Sequence, residues 1–496
     1  MGVVKKSVYK NTFITYIGMV IGYVNLVLLY PAYLSSKEYG LFNLITSLAV
    51  LYSLIASLGI PNIVARYFAY YRTDDREHNG FMHWTVMISF IGFAAATLLF
   101  IVFKPVIVAT YIDKSPLFVA YYYYLIPLAF FTIAFNFLEL TGRVIYQTVF
   151  SSFLRDVFLR IATTISILML AFKWIDFQWF IISYILINFL VSAMLLISIA
   201  LSKKFSIKLK KFSFSKINKK ELMNYGLYTL ISTAVYVLLQ KVDVIMLSSM
   251  SGLSVQGVYS FYFNIAIVIG VPAQALSRTT YQIITDSWKS KDMNSIQNVY
   301  YKTSIIQMVI GLLLFIGVII NQQNLAGIIH KKEYSSEFNL FIIIGLGFLV
   351  DITGGLNTAI IAASPKYRLV TGFVIISSVF CIVLNYLLIP EYGGYGAALA
   401  YLITITILNI VTWLYIKVRF KMQPFHYKHL LGIGIAIVCF FIGEYFWRMP
   451  NIYLDLVVRS GVTTVIYVIL SYYFHISDDL NEKVDQTLFK FKAMIR

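Results

Sequence analysis

Long apolar runs alternate with short polar segments along the whole chain. A helix needs about 20 apolar residues to cross a bilayer core about 30 Å thick, and fourteen runs have roughly that length. Stretches such as 181–201 are apolar apart from scattered Ser and Asn and carry no charge, whereas the strands of a membrane β-barrel alternate polar and apolar residues. The pattern therefore predicts an all-α polytopic membrane protein with about 14 transmembrane helices, over about 11–34, 39–60, 82–103, 117–139, 157–174, 177–201, 226–249, 256–277, 303–321, 338–361, 369–389, 394–416, 429–447 and 455–475.

The composition supports a membrane-inserted chain. Of the 496 residues, 59% are hydrophobic and 12% are charged, whereas soluble domains have about 45–50% and about 25%. Mean hydropathy is +0.79. Too few charges remain to cover the solvated faces of a soluble protein of this length. Cys381 and Cys439 both lie within apolar runs, so neither a disulfide framework nor a cysteine-based metal site is predicted.

The basic residues predict the orientation, because cytoplasmic loops are enriched in Lys and Arg. The chain has 40 Lys and Arg against 22 Asp and Glu, a net charge of +18. With the N-terminus taken as cytoplasmic, the segments on that side hold 31 Lys and Arg, the opposite side holds 8, and Lys241 lies within a span. We therefore expect both termini to be cytoplasmic. The positive charge lies in short loops that suit anionic lipid headgroups, so nucleic acid is excluded as a partner.

The longest cytoplasmic connection, 202–225, carries eight lysines and separates six spans from eight. It suits a linker between two lobes, although an ordinary loop facing anionic headgroups would have the same charge. Similar turns occur in both parts, at 34–40 and 247–252, and each is followed by Gly-x-Pro. Internal repeats are how many transporters achieve alternating access. The predicted parts are an N-terminal six-helix lobe (1–201), a Lys-rich cytoplasmic linker (202–225), a C-terminal six-helix lobe (226–420), two additional transmembrane helices (421–476) and a cytoplasmic tail (477–496).

Three short stretches carry a family resemblance: Tyr39-Gly40-Leu41-Phe42-Asn43, the run 59–69 (GIPNIVARYFA), and 387–398 (LLIPEYGGYGAA). They resemble the Wzx-type flippases of O-antigen and capsule polysaccharide, which share a superfamily with lipid II flippases and multidrug-and-toxin exporters. The likeness covers the whole chain in span number, loop lengths and motif order. It implies two six-helix bundles around a central cavity, with two extra C-terminal helices.

The activity that this resemblance implies is transport, not catalysis. An undecaprenyl-pyrophosphate-linked oligosaccharide would move from the cytoplasmic to the periplasmic leaflet of a bacterial inner membrane for surface polysaccharide synthesis. The implied partners are that lipid-linked oligosaccharide and membrane lipids, with the polysaccharide polymerase machinery as a further candidate. We expect a monomer without a cofactor, and H⁺ or Na⁺ as the candidate coupling ion.

Within the superfamily, the arginine of a Pro-Asn-x-x-x-Arg-x-Phe-Ala run lies at the pyrophosphate in lipid II flippases, and Arg66 matches it. Those flippases also carry an Arg-Asp pair late in the first span, where this sequence has 22–26 (GYVNL). They place another arginine shortly before a proline in the eighth span, where 264–271 contains none. These departures favour a lipid-linked glycan other than lipid II.

Arg66 suits pyrophosphate capture, because a guanidinium can bind phosphate oxygens through two parallel hydrogen bonds. The alternative is a basic anchor at the cytoplasmic end of the second span. In the first span, Asn25 lies on one side with Thr15, Gly18 and Gly22. This side is either a glycine contact seam or, at Asn25, a sugar-contacting position.

Charged residues inside spans are functional candidates, because they cost about 2.5–3.5 kcal/mol on insertion scales. Lys241 and Asp243 lie in the seventh span, two residues apart, and cannot pair along one helix face. Asp243 shares a stripe with Ser232, Tyr236 and Gln240, which predicts a polar cavity wall with Lys241, Tyr236 and Gln240 as substrate contacts. The alternatives are snorkelling for Lys241 and a structural hydrogen bond for Asp243.

Asp351 lies near the middle of the tenth span, close to Gly345, Gly347, Gly354 and Gly355. Small residues allow helices to approach closely, and glycine pairs mark bends. Asp351 is therefore either a helix–helix contact or, with Asp243, a coupling residue that changes protonation or ion occupancy.

Two alternative functions stay open. The first is a cation-coupled exporter of drugs or small molecules with the same fold. The second, a membrane glycosyltransferase or polymerase, is weaker because no outer connection exceeds about 17 residues. The sequence has no Gly-x-x-x-x-Gly-Lys-Ser/Thr loop, so an ATP-hydrolysing motor in this chain is excluded.

Overall fold

Helices account for all the regular secondary structure in the part of the chain that the computed structural model describes, which is residues 2–73, 78–145, 148–202, 212 and 217–495. Twelve continuous helical segments are long and apolar enough to span a membrane. A thirteenth candidate is the pair Asn339–Thr353 and Asn357–Ala363, bent by 41°. The predicted span 157–174 is built from shorter pieces between Val149 and Ala171. The chain is a multi-pass membrane protein; its predicted fold class is confirmed, with 14 as an approximate count.

Two compact units divide the chain, Met1–Ser260 and Phe261–Arg496. The boundary lies inside one long helix, and most of the lysine-rich connection lies outside the described residues. The lobes 1–201 and 226–420 therefore stay a prediction.

The first unit has twelve α-helices and the start of a thirteenth in its described part: α1 Gly2–Tyr23, α2 Tyr30–Tyr33, α3 Ser36–Ala56, α4 Ile60–Tyr71, α5 Phe81–Val102, α6 Lys104–Tyr111, α7 Pro116–Ala120, α8 Leu125–Val144, α9 Val149–Phe153, α10 Leu159–Ala171, α11 Phe177–Leu201, α12 Lys219–Met250 and α13 Leu253–Ser290. Two π-helical segments, Val24–Leu29 and Leu154–Phe158, join α1 to α2 and α9 to α10. Short 3₁₀ turns occur at His78–Gly80 and Tyr122–Tyr124.

Local sequence sets several of these boundaries. Ser35 and Glu38 form a reciprocal capping box that starts α3. Gly59, with a φ of 74°, separates α3 from α4, and Pro61 follows in the first turn of α4, where a missing N–H costs nothing. Asn218 accepts a hydrogen bond from the Lys220 amide and so caps α12.

The first turns of α3 and α13 pack against each other reciprocally. A Cβ on Gly40 would overlap the Leu253 carbonyl oxygen, and a Cβ on Gly257 would overlap the Ser36 carbonyl oxygen. The Ser36 and Ser254 hydroxyls form a 2.7 Å hydrogen bond between the same two turns. The two similar turns noticed in the sequence therefore lead into helices whose starts contact each other through glycine.

The second unit consists of the rest of α13 and ten further helices in its described part: α14 Met293–Ile320, α15 Gln322–Ile329, α16 Lys332–Ser335, α17 Asn339–Thr353, α18 Asn357–Ala363, α19 Arg368–Tyr392, α20 Gly394–Phe420, α21 Tyr427–Tyr445, α22 Ile452–Tyr473 and α23 Asp478–Ile495. α17 packs between α14 and α20, and the α21–α22 hairpin packs on α14. The predicted tail is the helix α23.

Candidate functional site

Arg66 projects from α4 with an exposed side chain. Its guanidinium carbon lies 4.4 Å from the ring centre of Tyr225 and 5.2 Å from that of Tyr67. The Tyr67 hydroxyl donates a 3.3 Å hydrogen bond to Glu221, and Arg66 itself has no acidic partner among the described residues. The aromatic rings therefore position a cation whose hydrogen-bonding edge is available to an anion.

The four polar residues predicted on α12 do not share one environment. Tyr236 and Gln240 are exposed, and Lys241 is half-buried with no acidic partner among the described residues. Asp243 is buried and accepts a 2.8 Å hydrogen bond from the Tyr259 hydroxyl of α13. Tyr236 and Gln240 thus lie among the exposed residues of α12, whereas Asp243 lies in the contact between α12 and α13.

Asn25 is buried between the first and fifth spans. Its Nδ2 donates a 3.1 Å hydrogen bond to the Arg160 carbonyl, and its Oδ1 accepts a 2.8 Å hydrogen bond from Thr164. Gly18 and Gly22 lie on the same contact, where a Cβ would overlap atoms of Asp156 and Arg160. The glycine seam is present, and Asn25 uses its amide for helix packing in this structure.

Arg160 is a candidate that sequence reasoning missed. The sequence predicts Arg160 close to the start of the span 157–174, yet it lies 11 residues into the helical segment that begins at Val149. At 1.5 Å per residue, about 16 Å of helix therefore separates Arg160 from the start of this segment. A charged residue followed directly by a long apolar run was the available signal.

Asp351 lies two residues before the end of α17 and close to the bend that follows it. Its carboxylate accepts a 3.1 Å hydrogen bond from Asn409 Nδ2, and the side chain is exposed. Asn357 Nδ2 lies 3.3 Å from Asn409 Oδ1, and the Tyr300 hydroxyl donates to Asn357 Oδ1. Gly355 between α17 and α18 has a φ of +70°, which favours glycine. A hydrogen-bonded chain therefore connects the carboxylate to the first residue after the bend.

An apolar cavity of about 1130 Å³ lies among α14, α17, α20 and α21 in the second unit. Its volume exceeds the range of about 300–1,000 Å³ that is usual for small-molecule sites. Several wall residues are themselves exposed, so the cavity is open on one side: Leu346, Ile410, Leu430, Ile433 and Ile437. Polar residues also line it: Thr353, Asn357, Asn409, His426 and His429. It can accept a long hydrocarbon chain with polar groups at one part of its wall.

A buried ion pair lies elsewhere in the same unit. Arg459 and Asp455 of α22 are 1% and 4% exposed, and both carboxylate oxygens accept hydrogen bonds of 3.0 Å from the guanidinium. Nη1 of Arg459 donates to the carbonyls of Gly443 (2.6 Å) and Phe446 (3.2 Å). The pair is fully hydrogen-bonded inside the protein, which indicates a structural role.

A model of the family described as "Polysaccharide biosynthesis protein" matches residues 4–281. The chain is 23% identical over 264 residues to the probable low-salt glycan biosynthesis flippase Agl15 of Haloferax volcanii, covering 49% of this chain and 55% of that protein. It is 26% identical over 212 residues to the capsular polysaccharide biosynthesis protein CapF of Staphylococcus aureus, covering 42% and 52%. The chain thus spans about half the length of the curated relatives it matches.

Solved structures show the same fold. The lipid II flippase MurJ in its inward closed conformation superposes with a TM-score of 0.74 and 14% identity, covering 94% of this chain and 98% of MurJ. An inward-facing multidrug resistance transporter of the MATE family, in the MOP superfamily, gives a TM-score of 0.64 and 12% identity, covering 84% and 98%. At these identities the likeness concerns the fold alone.

Proposed function

Because the chain belongs to the family of polysaccharide biosynthesis proteins, we propose that it is a flippase for a lipid-linked glycan. The specific substrate that we propose is an undecaprenyl-pyrophosphate-linked oligosaccharide, moved from the cytoplasmic to the periplasmic leaflet of a bacterial inner membrane. The resemblance seen in the sequence and the two relatives with roles in glycan or capsule biosynthesis support this proposal. A relative named as a flippase and a transporter fold support a non-enzyme.

The observation that carries the proposal is the apolar cavity of the second unit. A polyprenyl tail is a long, flexible hydrocarbon, and a cavity of about 1130 Å³ that is open on one side suits such a chain. The asparagine and histidine side chains on its wall suit the polar end of a lipid.

Arg66, in the first unit, is a separate observation in favour of a pyrophosphate-linked substrate. A pyrophosphate carries about two negative charges and is costly to remove from water without partners. Arg66 offers an exposed guanidinium held by two aromatic rings, in the middle of α4 and on the side of the membrane that the basic-residue count predicts to be cytoplasmic. In this proposal Arg66 captures the pyrophosphate, and Tyr236, Gln240 and Lys241 contact the translocating headgroup.

For energy coupling we propose H⁺ or Na⁺ at Asp351, with Asp243 as a second candidate. The hydrogen bonds from Asp351 through Asn409 to Asn357 support the idea. Protonation or ion binding at the Asp351 carboxylate would alter these bonds and so affect the bend between α17 and α18. A monomer that passes its product to the polysaccharide polymerase machinery is part of the same proposal.

The experiment is a chromosomal deletion in the source organism, with analysis of lipid-linked glycans and surface polysaccharide. Under the proposal, completed glycans accumulate on undecaprenyl pyrophosphate in the cytoplasmic leaflet, and surface polysaccharide is lost. Re-expression of the chain restores both. An intact surface polysaccharide in the deletion strain, with increased sensitivity to cationic drugs, would instead identify the exporter that the shared fold also allows.

A further inference from the structure

Two π-helical segments, Val24–Leu29 and Leu154–Phe158, lie on the helices that meet at the contact between the first and fifth spans. π-helical turns are rare in proteins and are frequent at functional sites. α1 packs on the second of these segments, and α10 packs on the first. Arg160 lies at this contact, two residues after the second segment.

The first span has room for the Arg160 guanidinium because Gly18 and Gly22, which face it, have no side chains. Nη1 of Arg160 donates a hydrogen bond to the Gly18 carbonyl. A Cβ on Gly22 would overlap the same Nη1. Nε and Nη2 have no hydrogen-bond partner among the described residues, and the side chain is partly exposed. One edge of the guanidinium is therefore occupied, and the other is available.

The nearby carboxylates are bound to other groups. Asp156 accepts a 2.9 Å hydrogen bond from Thr15 and pairs with Arg155 at 3.3 Å. Glu139 pairs with Arg155 at 2.7 Å and with Arg143 at 2.8 Å. Arg160 has no carboxylate within ion-pair distance in the described part of the chain, so the cluster keeps one positive charge in excess. Arg160 lies inside the predicted fifth span, where an unbalanced cation is costly and favours an anionic partner.

We propose that Arg160 is a phosphate-binding residue that holds the pyrophosphate of the lipid carrier within the membrane, after Arg66 has captured it at the surface. This inference rests on the proposed function. The free edge of the guanidinium, formed by Nε and one N–H of Nη2, has the geometry that binds two phosphate oxygens side by side. The Gly18 carbonyl and the glycine gap fix the direction of that edge.

The test measures binding of two probes to the purified full chain: undecaprenyl pyrophosphate and uncharged undecaprenol. Arg160→Gln removes the charge but keeps an amide that can donate to the Gly18 carbonyl. Gly22→Ala keeps the charge and displaces the guanidinium. Lys173→Gln removes an exposed positive charge just beyond the other end of α10 and serves as the matched control. Elution volume and melting temperature report folding for each variant.

We expect Arg160→Gln to weaken undecaprenyl pyrophosphate binding at least about tenfold, since a desolvated charge pair loses one partner. Gly22→Ala should also weaken undecaprenyl pyrophosphate binding. Undecaprenol binding, and both affinities of Lys173→Gln, should stay within about twofold of wild type. If Arg160→Gln fails to fold, Gly22→Ala decides the matter by the same criterion.

Folded variants that bind undecaprenyl pyrophosphate like wild type would overturn the proposal and leave Arg160 as a packing residue. An equal loss of both probes in Arg160→Gln would also overturn it. Wild-type protein that binds undecaprenyl pyrophosphate no better than undecaprenol would overturn the proposed substrate itself. The two failures are therefore distinguishable.

Discussion

We expect Arg459→Met to destabilise the second unit far more than an ordinary loss of a surface charge. The guanidinium makes four hydrogen bonds, two to Asp455 and one each to the carbonyls of Gly443 and Phe446. After the substitution, Asp455 keeps its bonds from Asn324 (2.6 Å) and the Met449 amide (2.9 Å) but loses its counter-charge. Removing one partner of a buried ion pair lowers the free energy of unfolding by about 3–5 kcal/mol.

The assay is thermal unfolding of the purified protein in detergent, followed by intrinsic fluorescence. For about 150–250 residues, each kcal/mol lowers the melting temperature by about 2–4 °C, so the expected fall is on the order of 10 °C. Arg448→Met is the matched control, because Arg448 and Glu444 have the same i,i+4 spacing at 3.1 Å but are each 39% exposed. An exposed pair contributes about 0–1 kcal/mol.

A double variant separates charge desolvation from packing. Arg459→Met combined with Asp455→Leu removes both charges and should recover part of the lost stability, because apolar replacements of buried pairs are often neutral. If Arg459→Met melts as Arg448→Met does, the buried pair does not stabilise this unit and the reasoning from desolvation is wrong.

Three further outcomes are expected. In a deletion strain complemented with each variant at equal membrane levels, we expect Arg66→Lys to restore part of the surface polysaccharide and Arg66→Ala to restore little. The reason is that Lys keeps the charge but cannot form two parallel hydrogen bonds to phosphate. Wild-type amounts of polysaccharide from Arg66→Ala would leave Arg66 with only an anchoring role. Asp351→Asn should remove the dependence of transport on pH or sodium, and an unchanged dependence would exclude this site from coupling. Gly40→Ala should lower the free energy of unfolding by about 1–3 kcal/mol, because the added Cβ meets the Leu253 backbone. Gly372→Ala is the control, because open space surrounds Gly372 and no loss is expected. Equal melting temperatures of the two variants would contradict the close contact at Gly40.

The fold class was predictable because a bilayer forces every spanning segment to satisfy its own backbone hydrogen bonds, so run length alone identifies helices. The fifth span was harder, since charges at Arg155 and Arg160 interrupt the apolar run and its first residues looked like a loop. The same interruption hid Arg160 as a candidate. The buried role of Arg459 was visible only in part: Asp455 lies four residues earlier on the same helix, but the carbonyl acceptors of Gly443 and Phe446 reach Arg459 only when α21 and α22 pack.

The candidate site was also predictable only where a local sequence signal exists. Arg66 was found from a motif, and its aromatic partner Tyr225 lies about 160 residues away in the sequence. The stripe on α12 follows from helix periodicity, which does not say that Tyr259 of α13 covers Asp243 while Tyr236 and Gln240 stay exposed. The apolar cavity had no local signal, because the residues that line it are spread between 308 and 440 over five helices and the connection before α21.

The open apolar cavity has a consequence for where substrate affinity originates. Within a bilayer, lipid acyl chains and a polyprenyl tail are equally apolar, so binding the tail exchanges one hydrocarbon for another and releases little water. The hydrophobic effect, which dominates burial from water, then contributes little to the net free energy of binding. A wall of this kind selects for length and flexibility of the chain. Discrimination among lipids, and most of the affinity, must come from the charged groups that meet the head.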